Sequence, residues 1–213
     1  MRSRPSMASA TATPNKSGVT EIYIGGAGDT RTRLVATFAE ARQRMFAHDA
    51  HRDAHYFPHY APRRILRCAR QAISAEHQLV VIGHSWGGDT ALRVLRSLRP
   101  ASADLLICVD PVPKSRLNPP PTPRNATHII HVDARPTRPN QSDKVKDFGV
   151  WIGGTLHQRL ATAQTRIIAD LNHFAFAQMM ASPDTDGLSA IDHLNQIGDH
   201  VSRPPNASSS SVS

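Results

Sequence analysis

The chain has 213 residues, a length that suits one domain with a sizeable core. Its 25 Lys and Arg exceed its 17 Asp and Glu and give a formal net charge of +8, but these basic residues are spread over many segments. No aromatic stripe is interleaved with them, which argues against nucleic-acid binding and leaves peripheral contact with anionic surfaces compatible with the charge.

The two ends of the chain differ in composition from its middle. Residues 1–18 are rich in Ser, Thr, Ala, Pro and basic residues, and residues 202–213 are dominated by Ser and Pro. Because such segments bury little apolar area, we predict disordered tails over 1–18 and 202–213 and one domain over 19–201. With no apolar run as long as a membrane span and no recognisable secretory signal, we expect a cytoplasmic or otherwise soluble protein.

The first predicted strand begins at Thr20 and leads into a glycine-rich turn, Gly25-Gly26-Ala27-Gly28. Such a turn also occurs in dinucleotide-binding folds, but Arg31 stands where the third glycine of that pattern would be. A backbone turn that lets another group approach closely is the alternative, as is a tight turn without a binding role. Apolar residues at helical spacing then predict a helix over residues 31–48.

A histidine-rich run follows this helix and contains His48, His51, His55 and His59. Spacings of three and four could place these side chains on one face of a helix and form a zinc site. Pro58 interrupts such a helix and no cysteine joins the cluster, so we predict a solvated loop and no metal site.

The rest of the chain alternates between strand and helix patterns. Helices are predicted over 62–77, 89–100, 173–180 and 189–200, strands over 79–83, 103–110, 126–133 and 165–170, and an irregular segment over 135–155. The alternation predicts an α/β fold, with a mostly parallel sheet of about five strands and helices on both faces. Parallel strands end at one edge of the sheet, where a crevice forms.

The most informative segment joins a buried strand to a helix through Gly83-His84-Ser85-Trp86-Gly87. This G-x-S-x-G pattern between a strand and a helix puts the serine hydroxyl on a sharp turn that faces the crevice. The segment resembles the nucleophile elbow of the α/β-hydrolase superfamily, in its lipase, esterase and thioesterase branch. The predicted fold is a reduced version of the fold of that superfamily.

The resemblance implies a second donor to an oxyanion and two further side chains. The N–H groups of Trp86 and of Gly26 or Ala27 are the expected oxyanion donors. The family arranges its residues in the order Ser, then Asp or Glu, then His, with the histidine in a loop after the last strand. His173 occupies such a loop and is the predicted base, and His157 is the alternative.

Two aspartates compete for the role of the orienting acid. Asp110 ends the strand after the elbow strand, and Asp133 ends the next one. The family uses either position. We predict Asp110, whose following proline fixes the direction of the turn, and keep Asp133 as the alternative.

Together these residues predict a serine hydrolase that cleaves carboxylic ester or thioester bonds through an acyl-serine intermediate. The expected substrate is a small-molecule or lipid ester, and no metal or organic cofactor is required. A non-catalytic α/β-hydrolase-fold binding protein and an acyltransferase are the alternatives, because the same fold supports all three.

Overall fold

The computed structural model describes residues 16–199, so residues 1–15 of the first predicted tail and the whole second tail, 202–213, lie outside the described residues. Strands and helices alternate in this order: β1 Gly18–Gly25, α1 Asp29–Thr32, α2 Leu34–Met45, β2 Arg52–Pro58, α3 Pro62–Ser74, β3 His77–His84, α4 Trp86–Leu98, β4 Ala103–Val109, β5 Ala126–Ala134, α5 Gln141–Gly153, β6 Thr165–Ala169, α6 Phe176–Met180 and α7 Ala190–Asp199. Within the segment predicted as the first tail, Lys16 Nζ pairs with Asp104 Oδ1 at 2.6 Å, and β1 begins at Gly18.

A single sheet in the described part of the chain contains six strands in the order β2-β1-β3-β4-β5-β6, and all its strand pairs are parallel. The central strands β3 and β4 carry long runs of buried apolar residues because helices cover both faces of the sheet. The predicted α/β class, mostly parallel sheet and helices on both faces are therefore confirmed. The strand number is six instead of about five.

The additional strand is β2, which lies within the histidine-rich run predicted as a solvated loop. It forms an edge of the sheet and pairs only with β1. Its buried residues are only Ala54 and Phe57. An edge strand with partly exposed faces does not need an apolar sequence and tolerates a proline such as Pro58 at its end, so the strand pattern is weak.

Two hydrophobic clusters cover the two faces of the sheet. On one face α2, α6 and α7 contribute Val35, Phe176 and Leu194. On the other face α3 and α4 contribute Ile65 and Leu92. The apolar positions of each helix recur at helical spacing, so one side of each helix packs on the sheet while its other side faces solvent.

Helix α5 lies in the segment 135–155 that the sequence predicts as irregular, and this prediction is wrong. Its N-terminus has a capping box, in which the Asn140 side chain accepts from Ser142 N and Asp143 Oδ2 accepts from Asn140 N, each at 2.8 Å. Near its other end, a Cβ on Gly153 would lie 1.8 Å from Pro113 O, so the small residue permits close packing. The helix is thereby held against the carboxyl edge of the sheet.

The chain reverses its direction of strand addition between β1 and β3, because β2 lies on one side of β1 and β4 lies beyond β3. A crevice forms outside the carboxyl ends of the strands at such a point. Gly25, Ser85 and Asp110 lie at the ends of β1, β3 and β4 beside this crevice. Within residues 16–199, no helix has both the length and the apolar character needed to cross a bilayer.

Candidate active site

Ser85 lies on a strained turn between β3 and α4. Its φ of 54° and ψ of −125° place a residue with a side chain in a region that favours glycine. The turn is tight because glycines surround it: a Cβ on Gly83 would lie 2.5 Å from Gly87 O, and one on Gly87 would lie 2.1 Å from Ile24 O. The Ser85 hydroxyl consequently points into the crevice at the carboxyl edge of the sheet.

A continuous chain of hydrogen bonds joins Ser85, His173 and Asp110. The Ser85 hydroxyl lies 3.1 Å from His173 Nε2, and His173 Nδ1 lies 2.6 Å from Asp110 Oδ2. The ring geometry allows Nδ1–H to donate to the carboxylate and Nε2 to accept from the serine hydroxyl. His173 and Asp110 are 1% and 2% exposed, so water competes little for either hydrogen bond.

The Asp110 carboxylate is held ionised by donors on both oxygens. Oδ2 accepts from His173, and Oδ1 lies 3.2 Å from Ala134 N and 2.6 Å from Lys146 Nζ. Burial raises the pKa of Asp110, but the hydrogen bond from His173 and the charge of Lys146 together outweigh it, and the pKa lies below its ordinary value. The group is therefore an anion at neutral pH.

The loop that carries His173 is fixed by hydrogen bonds from its backbone N–H, to its backbone carbonyl and from the Asn172 side chain. Asp143 Oδ1, on α5, accepts from His173 N at 3.0 Å, and Asp143 Oδ2 accepts from Asn172 Nδ2 at 2.7 Å. His84 Nε2 donates to His173 O at 2.9 Å. Burial, followed by the neighbouring imidazole, lowers the pKa of His84 to about 3, so this ring is neutral and acts as a donor.

Of the predicted oxyanion donors, Gly26 and Ala27 line the cavity at Ser85, and Trp86 follows Ser85 in the chain. Gly26 follows β1 directly, and a Cβ there would lie 2.8 Å from Ser85 Cβ and 3.3 Å from Ser85 Oγ. Trp86 is the first residue of α4, where an N–H group has no acceptor within its own helix. Ala27 is more exposed than Gly26 and also lines the cavity at Ser85.

A small cavity of about 50 Å³ opens beside the Ser85 hydroxyl. The glycine-rich turn after β1 forms one wall, and Leu34, Val145 and Phe174 supply apolar contacts on the others. His173 lines the same cavity, so an acyl group that entered it would lie beside both the hydroxyl and the imidazole.

The alternative acid and base lie away from this hydrogen-bonded chain. Asp133 Oδ2 accepts from Arg135 Nε at 2.9 Å and from Arg166 Nη2 at 3.2 Å. His157 Nδ1 is 3.9 Å from Asp133 Oδ2, and its side chain is 47% exposed. Neither Asp133 nor His157 hydrogen-bonds to Ser85 or His173 in the described part of the chain.

One group of side chains between residues 16 and 199 could hold a metal ion, namely His131, Asp133 and His157, whose ligand atoms lie within 4.8 Å of one another. The guanidinium groups of Arg135 and Arg166 already balance the charge of Asp133. A divalent cation would have to compete with these two fixed positive charges, so the donor set does not fit a metal well. The four histidines near β2 do not form a group of this kind.

Three residues at the site are not indicated by the motif analysis: His84, Asp143 and Lys146. His84 is a variable position of the G-x-S-x-G pattern. The signal for Asp143 was present, since Asn140 and Asp143 have the spacing of a capping box. Nothing in the local sequence marks Lys146, whose contact depends on how α5 packs against the strand ends.

No protein-family model matches the chain, and no curated protein sequence matches it. Solved structures do resemble it. A proposed hydrolase of the α/β superfamily from Xanthomonas campestris pv. campestris has 17% identity, covers 76% of this chain and 92% of its own, and has a TM-score of 0.46. A hormone-sensitive lipase from a metagenome library has 12% identity, coverage of 90% and 80%, and a TM-score of 0.49.

A third similar structure is YbtT, a type II thioesterase from the yersiniabactin biosynthetic pathway, with 12% identity, coverage of 89% and 95%, and a TM-score of 0.45. At these identities and TM-scores the likeness is one of backbone arrangement, and it carries no information on substrate or mechanism. These three similar structures are thus described as a hydrolase of the α/β superfamily, a lipase and a thioesterase.

Proposed function

We propose that this protein is a serine hydrolase of the α/β-hydrolase type that cleaves carboxylic ester or thioester bonds. The observation that carries the proposal is the hydrogen-bonded chain from the Ser85 hydroxyl through His173 to the buried Asp110 carboxylate. A serine hydroxyl becomes a nucleophile when a neutral imidazole accepts its proton and a carboxylate holds that imidazole in the required tautomer. The distances from Ser85 to His173 and from His173 to Asp110 support these roles.

In the proposed reaction, Ser85 Oγ attacks the substrate carbonyl carbon while its proton passes to His173 Nε2. The N–H groups of Trp86 and of Gly26 or Ala27 stabilise the negative oxygen that forms. His173 then donates the proton to the departing alcohol or thiol, which leaves an acyl-serine. A water molecule gives its proton to His173 and attacks the acyl carbon, and the carboxylic acid is released as Ser85 regains its proton.

The size of the cavity at Ser85 favours short acyl groups. A water-sized group occupies roughly 10–15 Å³ of such a volume. The cavity of about 50 Å³ therefore holds only a few such groups, which suits short acyl groups such as acetyl and propionyl. Longer chains would have to extend past Val145 and Phe174 into solvent.

The test of the proposed function uses a fluorophosphonate probe and a series of esters. Ser85 should be labelled, and Ser85→Ala should abolish labelling while circular dichroism shows a retained fold. Wild-type protein should also hydrolyse p-nitrophenyl esters or an acyl-thioester. Labelling that persisted in Ser85→Ala would contradict the assignment of the nucleophile.

Two alternatives share the fold and are separated by the same assay. A non-catalytic binding protein would neither react with the probe nor turn over any ester. An acyltransferase would be labelled at Ser85, but its acyl group would go to an added alcohol or amine faster than to water. The closed hydrogen-bond chain favours a catalytic protein over a binding protein.

The proposal extends to contact with anionic surfaces through an exposed basic face of α3. Arg63, Arg67 and Arg70 line an open groove of about 700 Å³, and no acidic residue lies within this helix. Vesicles that contain phosphatidylserine should bind the protein more strongly than phosphatidylcholine vesicles, and salt should weaken the difference. Equal binding of the two, or an unchanged preference in a variant with all three arginines replaced by glutamate, would remove this part of the proposal.

A further inference from the structure

Helix α5 places a lysine ammonium directly on the carboxylate that orients His173. Lys146 Nζ lies 2.6 Å from Asp110 Oδ1 and 2.8 Å from Ala134 O. The Lys146 side chain is 19% exposed, so the ion pair is largely removed from water. Among the described residues, Lys146 is the only lysine or arginine that forms an ion pair with Asp110.

This arrangement makes two cations share one carboxylate whenever His173 is protonated. Asp110 Oδ2 contacts His173, and Asp110 Oδ1 contacts Lys146. The lysine charge keeps Asp110 ionised, and it also reduces the extra stabilisation that an imidazolium gains from Asp110. Without the lysine charge, Asp110 would stabilise the positive charge of an imidazolium alone.

The other titratable groups that face His173 do not duplicate this effect. The His84 ring lies 4.8 Å from the His173 ring, and burial lowers its pKa to about 3, so it is neutral. Asp143 Oδ1 accepts from the backbone N–H of His173. Across the cavity, Asp29 is bound by backbone N–H groups at the start of α2.

One further histidine, His131 on the neighbouring strand β5, lies close enough to Asp110 for the carboxylate to act on its pKa. His131 is buried, and burial lowers its pKa to about 4, so it carries no charge near neutral pH. The ion pair of Lys146 is therefore the cationic contact that can be removed by one substitution without altering Ser85 or His173.

We propose that Lys146 is a positioning residue whose ammonium group fixes the Asp110 carboxylate and, through it, sets the lower pH limit at which His173 acts as a base. The proposal rests on the proposed hydrolase function for its kinetic consequence. Its structural consequence, the protonation of His173, can be measured without any substrate.

The test compares Lys146→Met, which removes the charge, with Lys146→Arg, which keeps it. Lys144→Met is the matched control, because Lys144 is an exposed lysine of the same helix. The titration of the His173 ring is followed by NMR, with His173→Gln to assign the signal. The pH dependence of kcat/KM on p-nitrophenyl acetate is the second measurement.

In Lys146→Met the His173 titration and the acid limb of kcat/KM should both move to higher pH by about one unit. Lys146→Arg should show little of this shift because it keeps the charge, and Lys144→Met should show none. A Lys146→Met protein that loses activity while the His173 midpoint stays unchanged would reduce Lys146 to a purely structural contact and overturn the proposal. If Lys146→Met does not fold, Lys146→Gln supplies the same comparison with a polar side chain.

The two proposals fail in different ways. A wild-type protein that neither reacts with fluorophosphonate nor hydrolyses esters would refute the hydrolase function. A shifted His173 titration in Lys146→Met would still support the role of Lys146. An active wild-type enzyme with an unshifted titration in that variant would refute the role of Lys146 alone.

Discussion

Replacing Asp110 by asparagine tests the candidate site most directly, because it keeps the size of the side chain and removes one acceptor. The Asp110 oxygens accept from His173 Nδ1, Ala134 N and Lys146 Nζ. An asparagine has one oxygen and one NH₂ group, so it cannot accept on both sides. Either the NH₂ group of the asparagine faces His173, or this NH₂ group faces the two donors, Ala134 N and Lys146 Nζ.

Each orientation of the new amide in Asp110→Asn has a distinct cost. If the NH₂ group faces His173, the ring must carry its proton on Nε2, and it then cannot accept the proton of Ser85. If the oxygen faces His173, the Lys146 ammonium and the new NH₂ group oppose each other, and a largely buried cation loses its carboxylate. In a protease with a Ser-His-Asp triad, the same substitution lowers kcat by about 10⁴. At about 1.36 kcal/mol for each tenfold change, this is about 5 kcal/mol of lost transition-state stabilisation.

The assay compares kcat on p-nitrophenyl acetate and the rate of fluorophosphonate labelling in Asp110→Asn and Asp133→Asn. Asp133 pairs with two arginines that are each about half exposed, so its substitution should change kcat by only a fewfold. Thermal denaturation of both variants separates lost activity from lost structure. A large loss in Asp133→Asn with a small loss in Asp110→Asn would show that the assignment of the acid is wrong.

Three further predictions address the base, the elbow and the acyl pocket. His173→Ala should lower kcat by several orders of magnitude. Added to Ser85→Ala, it should lower kcat little further, since these groups act as a unit. His157→Ala should retain activity. Gly87→Ala should unfold the protein or strongly lower its Tm, because a Cβ there would lie 2.1 Å from a backbone oxygen of β1. Gly28→Ala is the control: its Cβ meets nothing within 4 Å, so its Tm in differential scanning fluorimetry should not change. Wild-type kcat/KM should fall from p-nitrophenyl butyrate to octanoate, and Phe174→Ala should reduce that fall; equal rates on both esters would contradict the small cavity.

The elements that the sequence predicted correctly have strong local signals. The middle of β3 and the second half of β4 are continuous apolar runs, since both faces of these strands are buried there. The elbow at Ser85 was recognisable because glycine is required where another backbone atom lies too close for a side chain. The position of His173 after the last strand followed from the order of the elements.

The elements that were missed have weak local signals for physical reasons. Strand β2 is at the sheet edge and buries only Ala54 and Phe57, so its sequence has little of the expected strand character. Helix α5 exposes Phe148 and Trp151, at 61% and 70%, and buries Gly149 and Gly153 against the loop after β4. Its apolar residues therefore do not mark its buried face, although its capping box was present in the sequence.

By itself, the sequence determined the α/β architecture, the strand-turn-helix at Ser85 and a short list of candidate partners for that serine. It left Asp110 and Asp133 as alternatives, because each ends a strand of the same sheet and local spacing treats them alike. The tertiary structure separated them: β4 lies next to β3, and only Asp110 reaches His173, while Asp133 is one strand further away and turns toward two arginines. The contact of Lys146 with Asp110 was likewise decided only by tertiary packing, since it joins a helix to the end of a strand that comes much earlier in the chain.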